Sequence, residues 1–267
     1  MKKLHRVALV LMLAMVMIFA FSSCKKKSDD GLARVQKEGK LVIGMEGTWA
    51  PWTYHDEDDN LVGFDTEVGK AICDKLGVEP DYQEGLWDGL LAGLETGRYD
   101  VMINGVGITE ERKEKYYFSE PYAYNKTAII VREDNTDINS LEDLKGKKTA
   151  NTISSTYAEK AEAYGAEVTG VDDLNATMEL LIAGRIDATL NAEVSFYDYL
   201  KEHPDANIKI AFLTADAEPI AIPMQKIEGN QSLLDAINKA LKELAEDGTL
   251  TELSMKYFGT DISSANK

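Results

Sequence analysis

Short apolar segments alternate with amphipathic helical segments along this chain, and this alternation limits the folds that it can adopt. Residues 40–45, KLVIGM, form an apolar run bounded by glycine, which predicts a buried strand. Residues 64–77 follow with apolar side chains at helical spacing and a final glycine, which predicts a helix. A second helix at 86–97 and a strand at 101–103 repeat this order. Such an alternation indicates parallel β-α-β units in an open α/β sheet.

The alternation restarts at residue 127, so the sequence predicts two α/β halves. Strands are predicted at 127–134, 186–191, 208–213 and 219–224, and helices at 155–166, 173–184 and 230–248. Ligands bind such sheets beyond the carboxyl ends of the strands. A site is therefore expected in the loops that follow four strand ends, at Ile43, Ile103, Ile153 and Leu190.

The first 23 residues have the features of a secretory signal peptide: a basic start, an apolar run at 7–21 and small residues before Cys24. The apolar run is shorter than the ~20 residues that a spanning helix needs. The ending FSSC resembles the bacterial lipobox, so Cys24 is expected to carry the lipid and residues 24–31 to form a tether. An ordinary signal peptide with a chance cysteine is the alternative. We expect an exported chain, lipid-anchored at the outer face of the bacterial cytoplasmic membrane.

Charge and residue types narrow the possible functions. The formal net charge is −17, which argues against a nucleic-acid partner because no basic surface is available to bind phosphates. Cys73 is the only cysteine besides Cys24, so no disulfide is expected within the folded chain. The three histidines, His5, His55 and His203, show no metal-ligand spacing and no Ser-His-Asp set. We expect no metal, no cofactor and no catalytic residues.

The segment 104–112, NGVGITEER, follows a predicted strand and has features of a ligand loop. Gly105 and Gly107 allow backbone N–H and C=O groups to approach a ligand without an intervening side chain. Thr109 is a candidate helix N-cap, and the planar guanidinium of Arg112 suits a carboxylate. The alternative is a plain turn followed by a solvated charge.

Two further loops carry residues that suit a ligand. Trp49 and Trp52 lie after the first strand, where an aromatic ring can cover an apolar stem or an ammonium group, although core packing is expected for Trp52. Ser154, Ser155 and Thr156 begin a predicted helix, where hydroxyl and free N–H groups can bind an anion. Simple helix capping is the alternative for each of these three residues.

Several segments, in this order, resemble the extracytoplasmic substrate-binding proteins of polar amino-acid ABC importers, family 3. They are GTWAPW, LVGFDTEVGKAICDKLG, WDGLLAGL, NGVGITEERKEKYYFSEPY, DLKGKK, GRIDATLN and INKALKELAEDGTLTELSMKYFG. The chain is most similar to the cystine-type branch. The resemblance implies a type II periplasmic binding protein fold, or Venus flytrap: two lobes, each an open α/β sheet, joined by a two-strand hinge, with the ligand trapped as the lobes close. It implies a large lobe at 32–122 and 221–267, a small lobe at 127–217, and hinges at 122–127 and 217–220.

The resemblance also implies roles for the loop residues. Arg112 would pair with the ligand α-carboxylate, helped by the Gly107 N–H and by Ser155. The Gly105 carbonyl would accept a hydrogen bond from the α-ammonium, and Trp49 would stack over the ligand. Two further residues would lie near the ligand, Glu46 at its far end and Asn104 at the lip of the site.

One departure from the family pattern affects the α-ammonium. The aspartate that accepts this group in the family should fall at Ala192, and alanine cannot accept a hydrogen bond through its side chain. Glu193 is adjacent and is the expected substitute if the loop is shifted by one residue. A buried ammonium without an acceptor is costly, so some compensating group is expected.

The function expected from this resemblance is binding of a polar amino acid, cystine or a similar zwitterion, by a monomer that delivers it to ABC permease subunits. A basic amino acid is the alternative ligand, because Glu46 and Trp49 could hold a cation between a charge and a π-face. An enzyme resembling cyclohexadienyl or arogenate dehydratase is the alternative of another class, with Glu46 or Glu193 as general acid. A receptor module would continue into a membrane span, so the chain end soon after the last helix favours a free-standing binding protein.

Overall fold

The computed structural model of the protein describes residues 30–265. The expected signal peptide and the lipidation site at Cys24 lie outside the described residues. The described chain forms two lobes, each built around its own sheet. None of the helices in this part of the chain is long and apolar enough to cross a membrane.

The large lobe is built on a parallel sheet of order β5-β1-β6, as the alternating pattern predicts. Its elements are α1 (Gly31–Glu38), β1 (Lys40–Met45), α2 (Phe64–Leu76), β5 (Glu79–Glu84), α3 (Trp87–Glu95) and β6 (Val101–Met102). A small antiparallel sheet lies between β1 and α2, formed by β2 (Thr48–Trp49), β3 (Thr53–His55) and β4 (Leu61–Val62). Tryptophan-bearing turns are thereby held at the carboxyl end of β1.

The chain passes between the lobes along paired strands. After α4 (Glu110–Lys115) and β7 (Tyr116–Phe118), β8 (Ala123–Asn125) leads into the small lobe, and β14 (Glu218–Ile220) leads back. β8 pairs antiparallel with β14, and β7 pairs antiparallel with β15 (Pro223–Gln225). The single strand predicted at 219–224 is therefore two short strands with different partners.

The small lobe has a five-stranded sheet of order β11-β10-β12-β9-β13. Its elements are β9 (Thr127–Arg132), a 3₁₀ turn (Glu142–Leu144), β10 (Lys148–Asn151), α5 (Thr156–Ala163), β11 (Glu167–Gly170), α6 (Leu174–Ile182), β12 (Ala188–Ala192), α7 (Glu193–Glu202) and β13 (Ile208–Leu213). β10 is parallel to β11 and β12, whereas β9 runs antiparallel to β12 and β13. The sheet is mixed because β9 enters from the other lobe against the direction of the β-α-β strands.

The chain returns to the large lobe in its last two helices, α8 (Gln231–Glu246) and α9 (Thr249–Phe258). The apolar face predicted for α8 is buried, and it consists of Leu233, Leu234, Ile237, Ala240, Leu241 and Leu244. Burial of this face against α2 and α1 ties the end of the described chain to its beginning. The backbone N–H of Leu32 also donates to Ser232 Oγ over 3.3 Å.

Each lobe has its own apolar core. In the large lobe, Trp52, Phe64 and Tyr122 are among the largest fully buried side chains, and Cys73 packs with the same core. Cys73 is thus a packing residue of the large-lobe core. Burial raises the pKa of its thiol to about 12, so the thiol is unreactive at neutral pH.

Candidate ligand-binding site

A cleft lies between the two lobes at the carboxyl ends of the strands of both sheets. The large lobe contributes Glu46, Trp49, Trp87, Gly105 and Gly107 to its lining. The small lobe contributes chiefly Asn151, Ser155, Thr156, Asp173, Leu174 and Asn191. The space between these walls is about 550 Å³, counting the part open to solvent.

Glu46 follows β1 and presents a carboxyl group to the cleft. Its Oε2 accepts a hydrogen bond from Asn104 Nδ2 over 2.7 Å, and its backbone N–H donates to Asn104 Oδ1 over 2.8 Å. Burial raises the pKa of Glu46 to about 7; the Asn104 bond opposes this rise, and the charges of Asp173 and Asp88 add to it. A cationic ligand group would favour the charged form of Glu46.

The glycine loop packs against the tryptophan pair. Gly105 has a φ of 55°, and a Cβ atom there would lie 2.5 Å from the Trp49 ring, so only glycine fits. Trp49 stacks on Trp52 with ring centroids 5.2 Å apart. Trp52 is fully buried and donates from Nε1 to Ser195 Oγ, 3.1 Å away in the small lobe. Trp49 thus lines the cleft, while Trp52 lies behind it as a core residue.

Arg112 lies behind the glycine loop. Thr109 caps α4 by accepting from the Arg112 N–H over 3.1 Å, as predicted. The guanidinium donates from Nη1 to the Gly107 carbonyl (2.9 Å) and from Nη2 to the Ser154 carbonyl (2.7 Å) of the other lobe. Burial lowers the pKa of Arg112, and its Nη2 lies 4.0 Å from Glu159 Oε1. This buried cation would gain from an anionic ligand group.

Of the three hydroxyl residues at the start of α5, two line the cleft and one lies outside it. Ser155 caps the helix by accepting from the Ala158 N–H over 3.1 Å, and both Ser155 and Thr156 line the cleft. Ser154 has a φ of 57° and lies outside the cleft, where its hydroxyl donates to Asp88 of the large lobe. Ser155 therefore caps α5 and also lines the cleft, whereas Ser154 bridges the lobes.

Several predicted site residues lie outside the cleft lining formed by residues 30–265. These are Trp52, Asn104, Arg112, Ser154 and Glu193. Asn104 is fully buried behind Glu46 and holds it in place. Glu193 lines a separate cavity beside Tyr124 and Tyr197, because it begins α7 on the far side of β12. Direct ligand contact by these residues stays a prediction, and so does the replacement of the Ala192 acceptor by Glu193.

Eight lining residues were missed by the sequence reasoning: Trp87, Asn151, Thr152, Tyr157, Asp173, Leu174, Thr177 and Asn191. Asn151 ends β10, which the sequence reasoning extended to Ile153, and Asn191 lies one residue before the end of β12. Asp173 is the N-cap of α6. The rule that ligands bind at strand ends was the signal that could have found the two asparagines.

Contacts between the lobes close the cleft. They are the Trp52–Ser195, Arg112–Ser154 and Asp88–Ser154 hydrogen bonds. In addition, a Cβ atom on Gly107 would lie 3.4 Å from Thr156 of the other lobe. Residues 30–265 contain no group of three or more acidic, histidine or cysteine side chains that could hold a metal ion.

Asp65 supports the glycine loop from within the large lobe. It is wholly buried and accepts from the Gly105 N–H over 2.6 Å and from the Tyr122 hydroxyl over 2.7 Å. Burial raises its pKa to about 7, although both hydrogen bonds act in the opposite direction. The folded state therefore holds this proton more tightly than the unfolded chain, where the pKa is about 3.8.

Asp65→Asn is expected to reduce the pH dependence of stability. With a raised folded-state pKa, the free energy of unfolding falls as pH rises from about 4 to about 7, by up to ~1.4 kcal/mol per pH unit for each such group. Asp65→Asn should remove the contribution of Asp65 to the slope of the unfolding free energy against pH. The contribution of Glu46, whose pKa is also raised, should remain. Urea unfolding at pH 4.5, 6 and 7.5 measures this slope. Asp58→Asn, at an exposed position, is the control. An unchanged slope would contradict the assignment.

The two α/β lobes are joined by paired crossing strands and close over a polar cleft. This arrangement defines a two-lobed binding protein of the Venus-flytrap type. The chain belongs to family 3 of the bacterial extracellular solute-binding proteins, whose family model matches residues 41–260. It is 39% identical to the L-cystine-binding protein TcyA of Bacillus subtilis (strain 168), over 96% of this chain and 98% of the relative.

Two solved structures are also similar. An ancestral arginine-binding protein bound to glutamine is 40% identical, with a TM-score of 0.78 over 83% of this chain and 99% of that one. The L-cystine solute receptor of Neisseria gonorrhoeae, in its unliganded open conformation, is 39% identical. Its TM-score is 0.60 over 88% of this chain and 99% of the receptor. The lower score with an open receptor agrees with the closed arrangement of the lobes described above.

Proposed function

We propose that this protein binds a polar amino acid outside the cytoplasm, with cystine or a similar zwitterion as ligand, and delivers it to an ABC permease. The observation that carries the proposal is the charge arrangement of the closed cleft. Glu46 presents a buried carboxyl group on one side, and the capped start of α5 at Ser155 and Thr156 presents hydroxyl and N–H groups on the other. A ligand that carries both charges matches both ends. The cystine-binding relatives support this choice.

In this proposal Arg112 binds the ligand α-carboxylate together with Ser155 and the Gly107 N–H. A guanidinium has five N–H donors, so the two bonds to the Gly107 and Ser154 carbonyls leave donors for a ligand. Trp49 and Trp87 form the apolar walls over the ligand side chain. The Gly105 carbonyl is the expected acceptor for the ligand ammonium on the large-lobe side.

A basic amino acid is the second candidate ligand, and one observation favours it. Glu46 and Asp173 place two acidic groups on the same cleft, close enough for Asp173 to raise the Glu46 pKa. A side-chain guanidinium or ammonium would satisfy both. A neighbouring structure is an arginine-binding protein, here with glutamine bound.

We propose a binding protein and not an enzyme, since the named relatives are binding proteins. The pKa of Glu46, raised by burial to about 7, would suit a general acid, so a dehydratase of the cyclohexadienyl type is the alternative that needs a test. We expect incubation with prephenate to yield no product. Product formation that depends on Glu46 would overturn this part of the proposal.

We also propose the organisation of the whole protein. Residues 1–23 direct export, Cys24 carries the lipid, and the monomer works tethered to the outer face of the cytoplasmic membrane. The large lobe spans 32–122 and 221–267, the small lobe 127–217, and the hinges lie at 122–127 and 217–220. The pairing of β8 with β14 at these positions supports the hinge assignment.

A thermal-shift screen of the chain from Ser28 onward, which contains every described residue, tests the ligand. A ligand that binds only the folded state at one hundred times its Kd stabilises it by about 2.7 kcal/mol. For a chain of this size, that corresponds to a rise in Tm of roughly 5–10 °C. We expect L-cystine to give this rise. A rise with arginine or lysine alone would favour the basic alternative, and no rise with any amino acid would contradict the proposed function.

A further inference from the structure

Ala192 stands where the family resemblance implies the small-lobe acceptor for the ligand α-ammonium, and its side chain cannot accept a hydrogen bond. Ala192 is fully buried at the end of β12, and its N–H donates to Asn191 Oδ1 over 2.8 Å. A ligand ammonium has three N–H donors and is costly to bury unless they are accepted. Resting on the proposed function, a compensating acceptor without a partner of its own is expected on the small-lobe wall.

Asn151 provides such an acceptor. Its side chain is 3% exposed and lines the cleft, and its Oδ1 has no hydrogen-bond partner among the described residues. Nδ2 donates to the Leu190 carbonyl over 2.7 Å, which fixes which end of the amide is the nitrogen. An unpaired buried carbonyl oxygen costs free energy in the empty cleft, and a ligand N–H would remove that cost.

Asp173 lies beside Asn151 because of the sheet order. β10 pairs with β11, and the N–H of Val171, just after β11, donates to the Asn151 carbonyl over 3.2 Å. This bond brings the loop that carries Asp173 next to the end of β10. Asp173 lines the cleft, and its Oδ1 caps α6 by accepting from the Ala176 N–H over 2.8 Å.

We propose that Asp173 and Asn151 Oδ1 bind the α-ammonium of the ligand, in place of the acceptor that Ala192 cannot supply. Asn151 ends β10, which is next to β12 in the sheet, and Asp173 follows β11, the strand beyond β10. The ammonium site is therefore displaced from β12 toward the β11 edge. Asp173 supplies the charge and Asn151 an additional acceptor. Glu46, from the opposite lobe, is left free for the far end of the ligand.

The test uses Asp173→Asn, which removes the charge but keeps a residue that caps helices well. The matched control is the exposed neighbour, Asp172→Asn, which changes the net charge equally. The probes are L-cystine and 3,3′-dithiodipropionate, which is cystine without its amino groups. L-arginine and 5-guanidinopentanoate form the equivalent pair for a basic ligand. Calorimetric titration of the chain from Ser28 measures each Kd.

We expect the unmodified chain to prefer the amino acid over its deaminated analogue. Asp173→Asn should weaken binding of the amino acid by about 10- to 100-fold and leave binding of the analogue unchanged. Asn151→Ala should weaken binding of the amino acid less than Asp173→Asn does. Its Tm without ligand is measured as well, so that a loss of stability is distinguished from a loss of binding. Asp172→Asn should behave like the unmodified chain.

The outcomes separate this inference from the proposed function. If the unmodified chain binds an amino acid and Asp173→Asn keeps the same preference over the analogue, the ammonium site is wrong while the function stands. The same conclusion follows if Glu193→Ala, and not Asp173→Asn, removes the preference. If the unmodified chain binds no amino acid, the proposed function fails and this inference fails with it.

Discussion

Replacing Arg112 with alanine is expected to abolish amino-acid binding, lowering the affinity by roughly 30-fold to more than 1,000-fold. Arg112 is 6% exposed, and its guanidinium lies directly behind the Gly107 loop that lines the cleft. Its removal would leave a desolvated ligand carboxylate without its counter-ion, and truncating one partner of such a pair costs about 2–5 kcal/mol. Calorimetric titration with L-cystine measures the loss.

Two variants serve as controls for Arg112→Ala. Arg112→Lys retains the charge without the planar fork, so an intermediate affinity is expected. Lys113→Ala removes an exposed cation from the next position of α4, where it pairs with Glu110, and should leave the affinity unchanged. If Arg112→Ala bound amino acids as well as the unmodified chain, the carboxylate assignment would be wrong.

Trp52→Ala is expected to lower the free energy of unfolding by about 3–5 kcal/mol, the usual cost of truncating a buried large aromatic residue. The Trp52 ring is fully buried, stacks on Trp49 and contacts Phe64 and Phe258, with ring centroids 5.8 and 4.9 Å away. Its removal opens a cavity at the point where β2, α2 and α9 meet. Urea unfolding without ligand measures the change, and a loss below about 1 kcal/mol would contradict this account.

Trp52→Phe separates packing from the contact between the lobes. Phenylalanine keeps much of the ring but cannot donate to Ser195 Oγ, so the closed arrangement should lose one hydrogen bond. We expect a smaller effect on unfolding and weaker ligand binding, by about tenfold or less. Ser195→Ala removes the same bond from the other lobe. Both variants remove the same hydrogen bond. If this bond acts in closure, the double variant should bind no more weakly than the weaker of the two single variants.

Hydrophobic periodicity predicted much of the fold because it depends on local spacing. The buried face of α8 and the parallel strands of the large lobe follow directly from it. The antiparallel direction of β9 does not, because it depends on where the chain crosses between the lobes. The two strands at 218–225 were predicted as one for the same reason: their partners, β8 and β7, are about 100 residues earlier in the chain.

Residues of the candidate site could be predicted where they lie in a single loop that follows a predicted strand. Gly105, Gly107 and Trp49 were identified from segments that follow a strand, whereas Glu46 was implied by the family resemblance, and all four line the cleft. Asn151 and Asp173 were missed for a different reason. They are 22 positions apart, and only the pairing of β10 with β11 brings them together.

The return of α8 and α9 to the large lobe also determines the order in which the protein can fold during export. The small-lobe sheet and its helices come from one continuous stretch, 127–213, so they can form as soon as that stretch has crossed the membrane. The large lobe is completed only when α8 arrives and Ser232 meets Leu32, 200 residues earlier in the chain. Until then, the apolar faces of α1 and α2 lack their cover. An emerging chain can therefore complete its small lobe before its large lobe, whose cover arrives last.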